Sequence, residues 1–541
     1  MIESKQAHFA IPRGMAIYAI ACIPLLRFLF DWAKGLDFLL YQYLTDDAFY
    51  YFEISKHIPE FNTGIPNSGF HPLYAFLVSP LHTYLSYNLA IPLSLLLVVL
   101  FNSVGIVVLY YVLSVYWDGL IPILCAAAWA VSPQMYTISL SGVETILATT
   151  IALLFFAQFT RIQNHQLEKL HPLNFGLLGL LTGLSFLARM DTSLILAPAM
   201  LYLAFRLLRS KRAVNLAFFA APAIALHAGW IAYMKSQTGH IFPTSAAALR
   251  VLRGIDGRLI ATPESILRSV KYILNSLVDF FLIVPPGIEP ILLIILLLAG
   301  LTGVLVLICD KQAPGDNSTA RFSLLIAAGL GCWSLYYIFY QGGLRPWYLA
   351  HLGLVMFAVW LPSVLAVILR PQKLEVRNHR MGLQSQSHNR LWLGICIIVG
   401  IFAVLSQHNM KPFAPQEYDK YKSALAANSF IAEMDAGKNI GAFNTGIYNY
   451  FMEMDVINLD GKVNPEAMEA LRNVELVDYI RRKNIGYLIE HDIGEAANLE
   501  RIYEDDRLEL RRWIDLTKFY PGYNGRYAKH TYLWKLEVRD E

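Results

Sequence analysis

The stretch LTDDAFYYFEISKHIPEFNTGIPNSGFHPLYAF, residues 44–76, lies between two hydrophobic runs and contains two adjacent acids close to its start. Carboxylates are costly beside a membrane, so Asp46 and Asp47 need an explanation. Helix capping by Thr45 or Asp46, ahead of the apolar face of AFYYFEISKHI, accounts for one acid. In the alternative interpretation, one carboxylate is a general base while the other binds a cation or tunes its pKa.

The composition places the chain in a broad class. Of its 541 residues, 56% are hydrophobic and 16% are charged, whereas soluble domains carry about 25% charged residues. We therefore predict an integral membrane protein. A net charge of +3 without long basic runs argues against nucleic acid as a partner. The five cysteines all lie in apolar stretches, which does not indicate a disulfide framework.

Roughly eleven segments are long and apolar enough to cross a bilayer, which takes about 20 residues. They are residues 14–30, 89–114, 119–135, 143–160, 172–188, 191–208, 213–234, 288–309, 322–341, 347–369 and 391–408. The first run lacks a small-residue cleavage site, so we expect a retained helix and not a signal peptide. The predicted fold is mainly α, a polytopic bundle of about 11 transmembrane helices.

Lys and Arg residues of the short loops predict the orientation of the bundle. With the N-terminus in the cytoplasm, the basic cluster Arg206–Arg212 and the basic loop 370–390 also face the cytoplasm. Loop 31–88, loop 235–275 and the tail from residue 410 then face outward. We expect a protein of the bacterial inner membrane whose outer parts lie in the periplasm.

The tail has a different character from the rest of the chain. Residues 410–541 contain many charges and no spanning run. The segments NIGAF, DVINLD and GYLIEH are typical of buried strands, and PEAMEALRNVELVDYIRRKN, residues 465–484, has helical periodicity. We predict a soluble periplasmic α/β domain over residues 410–541, preceded by a transmembrane domain over residues 1–409.

Three further motifs carry polar side chains on the predicted outer face. In GFHPLY, His71 either packs the loop or contacts a ligand. In SGVET, Glu144 either complements the start of a helix or lines a site. In ARMD, Arg189 and Asp191 either neutralise each other or belong to the same site. The predicted topology puts all of these side chains on the outer side of the membrane, together with the two adjacent acids. We therefore expect them to lie close together.

Outward-facing cations suggest an anionic partner. The loop 235–275 is basic, which suits a phosphate or a diphosphate, or contact with lipid head groups; its cations are Lys235, Arg250, Arg253, Arg258, Arg268 and Lys271. In GGLRPWYLA, Arg345 is a further candidate phosphate ligand. The neighbouring Trp347 and Tyr348 suit an interfacial belt or the face of a sugar ring.

These motifs, in this order, resemble those of GT-C-type membrane glycosyltransferases, the class that includes oligosaccharyltransferases, protein mannosyltransferases and arabinofuranosyltransferases. The resemblance rests on TDDAFYYF after the first span, followed by GFHPLY, SGVET, ARMD, GHIFPTSAAALR and GGLRPWYLA. The tail stretch GAFNTGIYNYFMEMDVINLDGKVN is similar to the outer domain of arabinofuranosyltransferase-like and uncharacterised bacterial members.

The resemblance implies a hexosyl- or pentosyltransferase. It would move a sugar, with inversion, from a polyprenyl-phosphate donor to a glycan, lipid or protein acceptor on the extracytoplasmic face. By motif, Asp46 is implied as the base that deprotonates the acceptor hydroxyl. The resemblance implies that Asp47 either supports Asp46 or binds a divalent cation such as Mg, Mn or Ca. The WWD motif of oligosaccharyltransferases is not evident, which argues against protein N-glycosylation.

The remaining candidate site residues follow from the same resemblance. Arg250, Arg253 and Arg345 are implied as ligands of the lipid phosphate, and the side chains that would line the substrate cavity are His71, Glu144, Arg189, Asp191, Trp347 and Tyr348. Membrane lipids are expected around the bundle.

Two other classes of function stay open. A transporter or flippase of a lipid-linked saccharide would use intramembrane charges as a substrate path. Against it, the adjacent acids lie in a loop and no inverted repeat is visible in the sequence. A binding protein whose tail recognises a polysaccharide would carry its surface chemistry in that tail.

Overall fold

A computed structural model describes residues 13–61, 64, 66–252, 262–280, 318–341, 344–368, 415–491, 508–519 and 531–538. Two of the predicted spans, 288–309 and 391–408, lie outside the described residues. So does Arg253, one of the three arginines proposed to bind a lipid phosphate.

Apolar helices make up most of the described chain. Among the described residues, seven helical segments are long and apolar enough to cross a membrane: Met15–Trp32, Tyr87–Tyr116, Thr145–Asn164, Thr192–Arg209, Ala213–Thr238, Ser318–Gln341 and Pro346–Ala366. The pair Ile121–Val131 and Pro133–Leu140, bent by 52°, adds an eighth if it is one span. Pro172–Ala188 is a shorter apolar helix. The prediction of a mainly α polytopic membrane protein is therefore confirmed.

The α-helices are numbered in chain order. They are α1 Arg13–Ala21, α2 Ile23–Trp32, α3 Leu36–Gln42, α4 Asp46–His57, α5 Pro72–Tyr84, α6 Tyr87–Tyr116, α7 Ile121–Val131, α8 Pro133–Leu140, α9 Thr145–Asn164, α10 Pro172–Ala188, α11 Thr192–Arg209, α12 Ala213–Thr238, α13 Thr244–Leu252, α14 Pro263–Asp279, α15 Ser318–Leu335, α16 Ala350–Val355, α17 Leu361–Ile368, α18 Pro415–Asn428, α19 Gly446–Phe451, α20 Pro465–Arg472 and α21 Leu476–Arg482. Two π-helical turns, Tyr336–Gln341 and Met356–Trp360, continue α15 and α16.

The outer loop predicted over residues 31–88 is folded into the helices α3, α4 and α5. Helix α4 begins with the two adjacent acids and ends with Lys56 and His57. This order of charges complements the helix dipole, which is positive at the N-terminus. The Thr45 side chain does not cap the helix; its hydroxyl donates instead to the Ser141 carbonyl oxygen at 3.2 Å. The loop is thereby tied to the start of the SGVET turn.

The C-terminal part contains a five-stranded mixed sheet. Its strands are β1 Asn439–Ala442, β2 Val456–Asn458, β3 Ile485–His491, β4 Leu508–Asp515 and β5 Thr531–Val538, in the order β2-β1-β3-β5-β4. Strand β1 is parallel to β2 and β3, whereas β5 is antiparallel to β3 and β4. The strands predicted from NIGAF, DVINLD and GYLIEH are β1, β2 and β3. The predicted α/β fold of the tail is confirmed.

The stretch of the tail with helical periodicity, residues 465–484, is helical but divided. It forms two helices, α20 and α21. Between them Val474 has a positive φ of 62°. The Glu475 N–H turns back to the Ala470 carbonyl oxygen at 2.7 Å, which closes the end of α20. Periodicity does not detect this break because the apolar residues on its two sides stay in phase.

Helix α19 docks the sheet domain onto α4. Phe49 packs against Tyr450 and Phe451, with ring centroids 5.5 and 5.3 Å apart. His82 of α5 contacts the Tyr450 hydroxyl at 2.7 Å and the Ser94 hydroxyl at 2.9 Å. The apolar core runs without a break from the bundle into this interface. The domain therefore lies on the side of the bundle that carries the two adjacent acids.

Candidate active site

A cavity of about 1050 Å³ lies where the bundle, the loop helices and the sheet domain meet. Its lining includes Asp47 and Tyr50 of α4 and Arg250 of α13. Arg345, which precedes the span Pro346–Ala366, and Lys462 of the sheet domain also belong to the lining. Segments far apart in the sequence thus share one cavity large enough for a substrate.

Arg189 is the centre of a buried ion-pair network in this cavity. Its guanidinium binds the Glu144 carboxylate at 2.5 Å and lies 2.7 Å from the Asp191 carboxylate. Arg189 and Glu144 are 4% and 2% exposed, so their charges are compensated within the protein and not by water. The guanidinium also stacks on the Tyr348 ring at 4.2 Å. The SGVET and ARMD motifs and the GGLRPWYLA segment are joined at this point.

Helix α15 and its π-helical continuation bind the Asp191 carboxylate from another side. The Tyr337 hydroxyl donates to its carboxylate at 2.6 Å, and the Trp333 indole N–H donates at 3.0 Å. Burial opposes ionisation of Asp191. Arg189, His351 and the Tyr337 hydroxyl together outweigh burial and hold the pKa of that carboxyl below its ordinary value. Asp191 is therefore a charged structural partner of Arg189.

His71 lies beside this network and faces the cavity. Its Nε2 is 3.8 Å from the Glu144 carboxylate. Burial lowers the pKa of His71 more than the neighbouring carboxylate raises it, so the imidazole is neutral at neutral pH. Its buried Nδ1 has no hydrogen-bond partner in the described part of the chain. A neutral imidazole with a vacant nitrogen can exchange a hydrogen bond with a hydroxyl group of a ligand.

The two adjacent acids have different surroundings. Asp47 lines the cavity, whereas Asp46 is not among the residues that do. The Asp46 carboxylate faces the sheet domain instead, where it accepts the Ile447 N–H at 3.0 Å and lies 4.0 Å from the Lys420 ammonium. Burial raises the pKa of Asp47, while Lys462 and Arg345 act in the opposite direction. Asp47 is therefore the acid that a substrate in the cavity would meet.

The cations of the cavity differ in how they are bound. Arg250 donates to the Tyr340 carbonyl oxygen and lies over the Tyr340 ring. Lys462 pairs with Asp460 at 3.0 Å. Arg345 is exposed, and within the described ranges its guanidinium makes no hydrogen bond or ion pair. Arg345 can accept a new anionic partner without breaking an existing contact.

Aromatic side chains form much of the cavity lining, a surface called the aromatic wall. The turn Tyr336–Gln341 winds as a π-helix, which rotates several of its side chains toward the cavity. The aromatic residues of the lining are Tyr50, Tyr51, Phe70, Phe186, Phe242, Tyr336, Tyr337, Tyr340, Trp347 and Tyr348. Such a surface suits the apolar face of a sugar ring or the first part of a lipid chain.

Most of the predicted site residues lie around this single cavity. The lining includes Asp47, His71, Glu144, Arg189, Asp191, Arg250, Arg345, Trp347 and Tyr348, but not Asp46. Sequence reasoning missed the tyrosines of the π-helical turn, and it missed Lys462, His240 and Arg472. Lys462 belongs to the DGKVN segment, whose Gly signals a turn but whose position relative to α4 depends on the tertiary fold.

The described residues around the cavity form no ready-made site for a divalent cation. A hard cation requires several oxygen ligands that converge on one point. In the described parts of the chain, no group of three or more His, Cys, Asp or Glu side chains is arranged to hold a metal ion. Of the three acids in the lining, Glu144 and Asp191 already pair with Arg189. The expected metal ligand, Asp47, thus lacks partner ligands among the described residues.

Taken together, the helical bundle and the docked sheet domain form a fold of the GT-C type. No protein-family model matches the chain, and no curated protein matches it in sequence. The fold is nevertheless similar to that of solved structures with distant sequences.

One similar structure is ArnT from Cupriavidus metallidurans bound to undecaprenyl phosphate, with a TM-score of 0.56, 10% identity, and coverage of 95% of this chain and 98% of that one. Another is the archaeal oligosaccharyltransferase AglB from Archaeoglobus fulgidus with an inhibitory peptide and a dolichol-phosphate. Its TM-score is 0.52 at 12% identity, over 88% of this chain and 69% of that one. The Archaeoglobus fulgidus enzyme in complex with Zn and sulfate gives a TM-score of 0.53 at 13% identity, over 88% and 68%. At these identities the likeness shows the fold, and the arabinofuranosyltransferase-like subtype stays a prediction.

Proposed function

We propose that this protein is a membrane glycosyltransferase that moves a sugar from a polyprenyl-phosphate donor to a hydroxyl of a glycan, lipid or protein acceptor on the extracytoplasmic face. One observation carries the proposal. The Asp47 carboxylate and the Arg345 guanidinium, which make no hydrogen bond or ion pair among the described residues, share one cavity with the aromatic wall. The fold is shared with proteins solved with undecaprenyl phosphate and with dolichol-phosphate.

Asp47, and not Asp46, is our candidate for the general base. It is the member of the pair that lines the cavity, whereas Asp46 is engaged with the sheet domain. A general base works best when its pKa approaches the operating pH. Burial raises the pKa of Asp47 above that of an ordinary aspartate, which makes the carboxylate a stronger base. This exchanges the roles that the motif resemblance implied for the two acids.

The lipid phosphate is proposed to lie against Arg345. Five Lys or Arg and three Asp or Glu side chains line the cavity, so its charge favours an anion. Arg345 can offer a bidentate pair of N–H donors to phosphate oxygens. Arg250 adds positive charge near the same wall, although its guanidinium also binds Tyr340.

The lipid chain and the sugar are proposed to use the apolar parts of the lining. Ile241 and Phe242 follow the end of the span Ala213–Thr238 and are 48% and 59% exposed. Exposed apolar side chains at the end of a span suit contact with lipid. The aromatic wall around Trp347 and Tyr348 then receives the sugar.

The proposed chemistry is a single displacement at the anomeric carbon. The acceptor oxygen forms a bond to this carbon while the bond from the carbon to the phosphate oxygen breaks. Asp47 takes the proton of the acceptor hydroxyl, and the polyprenyl phosphate leaves with the bonding electron pair and its negative charge held by Arg345. Such a step inverts the anomeric configuration and needs no protein nucleophile. Its rate depends chiefly on holding donor and acceptor together.

The test is a reconstitution of the full chain in liposomes that contain a panel of polyprenyl-phosphate sugars and acceptor glycans. We expect transfer of one sugar, together with release of the polyprenyl phosphate. Transbilayer movement of the labelled carrier without any sugar transfer would support the flippase instead and contradict the proposal. Heat-inactivated protein in the same liposomes measures the background release.

A further inference from the structure

The sheet domain reaches the acids of α4 through two contacts on its helix α19. The Ile447 N–H donates to the Asp46 carboxylate at 3.0 Å. At Gly446, a Cβ atom would lie 2.5 Å from the Asp46 carbonyl oxygen, so the backbones approach more closely than a side chain allows. One residue earlier, the Thr445 N–H donates to the Tyr50 hydroxyl at 2.9 Å. The start of α19 is thus fitted against the start of α4.

Lys462 of the same domain is fixed by three separate parts of the chain. Its carbonyl oxygen accepts the Thr244 hydroxyl at 3.0 Å and abuts Gly69, where a Cβ atom would come within 2.0 Å. Its ammonium pairs with Asp460 at 3.0 Å and donates to the Asn444 side chain at 3.1 Å. Its position is therefore set by the loop before α5, by α13 and by the domain itself.

The Lys462 ammonium is directed toward the cavity and not toward bulk water. It lies 5.6 Å from the centre of the Tyr50 ring, and Tyr50 is three residues after Asp47 on the same helix. Residues three apart share a helix face. Lys462 and Asp47 both line the cavity. A cation from the sheet domain thus lies near the helix that carries the candidate base, in the same cavity.

We propose that docking of the C-terminal domain onto Asp46 completes the active site by bringing Lys462 beside Asp47, so that Lys462 is a positioning residue that stabilises the Asp47 carboxylate. The inference rests on the proposed function for its meaning, but not for its test. It gives the two adjacent acids separate tasks: Asp46 holds the domain, and Asp47 receives the cation that the domain carries.

The charges around Asp47 give the direction of the effect. Burial raises the pKa of Asp47, and Lys462 is the strongest opposing charge. Arg345 acts in the same direction as Lys462, whereas Asp46 and Glu144 act against it. Other titratable groups coupled to Asp47 are Tyr50, Tyr348 and Glu417. Loss of Lys462 should therefore leave Asp47 protonated up to a higher pH.

The test measures the protonation of Asp47 without any sugar donor. A hydrophobic carbodiimide modifies protonated carboxyl groups, and tandem mass spectrometry separates the adducts of Asp47 and Asp46. In Lys462→Gln, which keeps a hydrogen-bonding side chain, we expect the midpoint of Asp47 labelling to rise by about 1–3 pH units. Lys462→Arg keeps the charge and should stay near the wild-type midpoint. Lys483→Gln, at an exposed pair with Glu466, is the matched control.

A second variant tests the docking contact and leaves Lys462 in place. Gly446→Ala pushes the start of α19 away from Asp46 and should also raise the midpoint. Gly486→Ala is the control in the same domain, because the atoms nearest to its Cβ belong to the Lys438 side chain and not to the backbone of α4. An unchanged midpoint in Lys462→Gln, or in Gly446→Ala, overturns the inference. If the midpoint rises but no sugar is transferred by the wild type, the inference stands and the proposed function fails.

Discussion

Asp46 and Asp47 are neighbours in the sequence, yet the fold gives them different partners. The Asp46 carboxylate accepts a backbone N–H of the sheet domain, whereas the Asp47 carboxylate faces the cavity. Successive residues of a helix point about 100° apart, so the Asp46 and Asp47 side chains leave α4 in different directions. The pair is therefore better explained by two tasks than by one duplicated task.

Replacement of Arg345 tests the proposed phosphate contact. Arg345→Ala removes a guanidinium that has no other hydrogen bond or ion pair among the described residues, so its loss should leave the fold intact. A hydrogen bond to a charged group contributes about 1.5–3 kcal/mol. We expect the KM for the polyprenyl-phosphate sugar to rise about 10-fold to 100-fold, as measured in the liposome assay.

The control for this variant is Arg511→Ala, at an exposed arginine of the sheet domain. It should leave the KM for the donor unchanged. Arg345→Lys should restore part of the affinity, since it keeps the charge but loses the bidentate geometry. A wild-type KM in Arg345→Ala would remove Arg345 from the donor site.

The buried carboxyl group of Asp419 should make the stability of the protein depend on pH. Its carboxylate is 1% exposed and has no hydrogen-bond partner in the described part of the chain. Burial, together with the nearby Glu417, raises its pKa to about 7, from an ordinary value of 3.8. Between these two pH values the folded chain holds a proton that the unfolded chain has released. The contribution of Asp419 to stability therefore falls as the pH rises from 3.8 to about 7.

Asp419→Asn should remove this loss, because the amide stays neutral. We expect the thermal unfolding temperature in detergent to exceed that of the wild type at pH 8 by more than at pH 5. The exposed Asp435, whose pKa Lys535 lowers, provides the control Asp435→Asn, which should show no such gain. If the unfolding temperatures of Asp419→Asn and the wild type differed equally at both pH values, Asp419 would not be the source of the pH dependence.

At the scale of elements, two helices of the bundle approach closely at one glycine. In α15, a Cβ atom at Gly329 would lie 2.1 Å from the Ile195 carbonyl oxygen of α11, whereas one at Gly331 would meet nothing within 4 Å. Small residues allow such backbone approaches between membrane helices. Gly329→Ala should therefore lower stability by about 1–3 kcal/mol, and Gly331→Ala should be close to neutral, in thermal unfolding. Equal stabilities of the two variants would contradict the observed packing.

Local sequence patterns predicted many of the elements, because apolar runs and turn residues act over short distances. The span at Tyr87–Tyr116 and the strands β1, β2 and β3 follow directly from such patterns. The pairing of β3 with β5 does not, since backbone hydrogen bonds between distant strands leave no local signal. The helix break at Val474 and the π-helical turn at Tyr336–Gln341 were missed for a similar reason.

At the scale of the whole molecule, the bundle and the sheet domain build one cavity together. Charge bias in the loops predicted that Glu144, Arg189 and Asp191 lie near the acids, because short connections between spans return to the same face. The loop charges could not predict the position of Lys462. It lies about 400 residues after Asp47 in the sequence, and the docking of the sheet domain brings the two into one cavity. The orientation of the bundle in the membrane stays a prediction.

The central claim is that Asp47 is the base of a sugar transfer, and sugar transfer by Asp47→Asn and Asp46→Asn measures it directly. In liposomes with the donor that the wild type uses, Asp47→Asn should lose about 10²-fold to 10⁴-fold in rate while it unfolds at the wild-type temperature. Asp46→Asn still offers an acceptor to the Ile447 N–H and should keep much more activity. Wild-type transfer by Asp47→Asn, or loss of transfer confined to Asp46→Asn, would contradict the account.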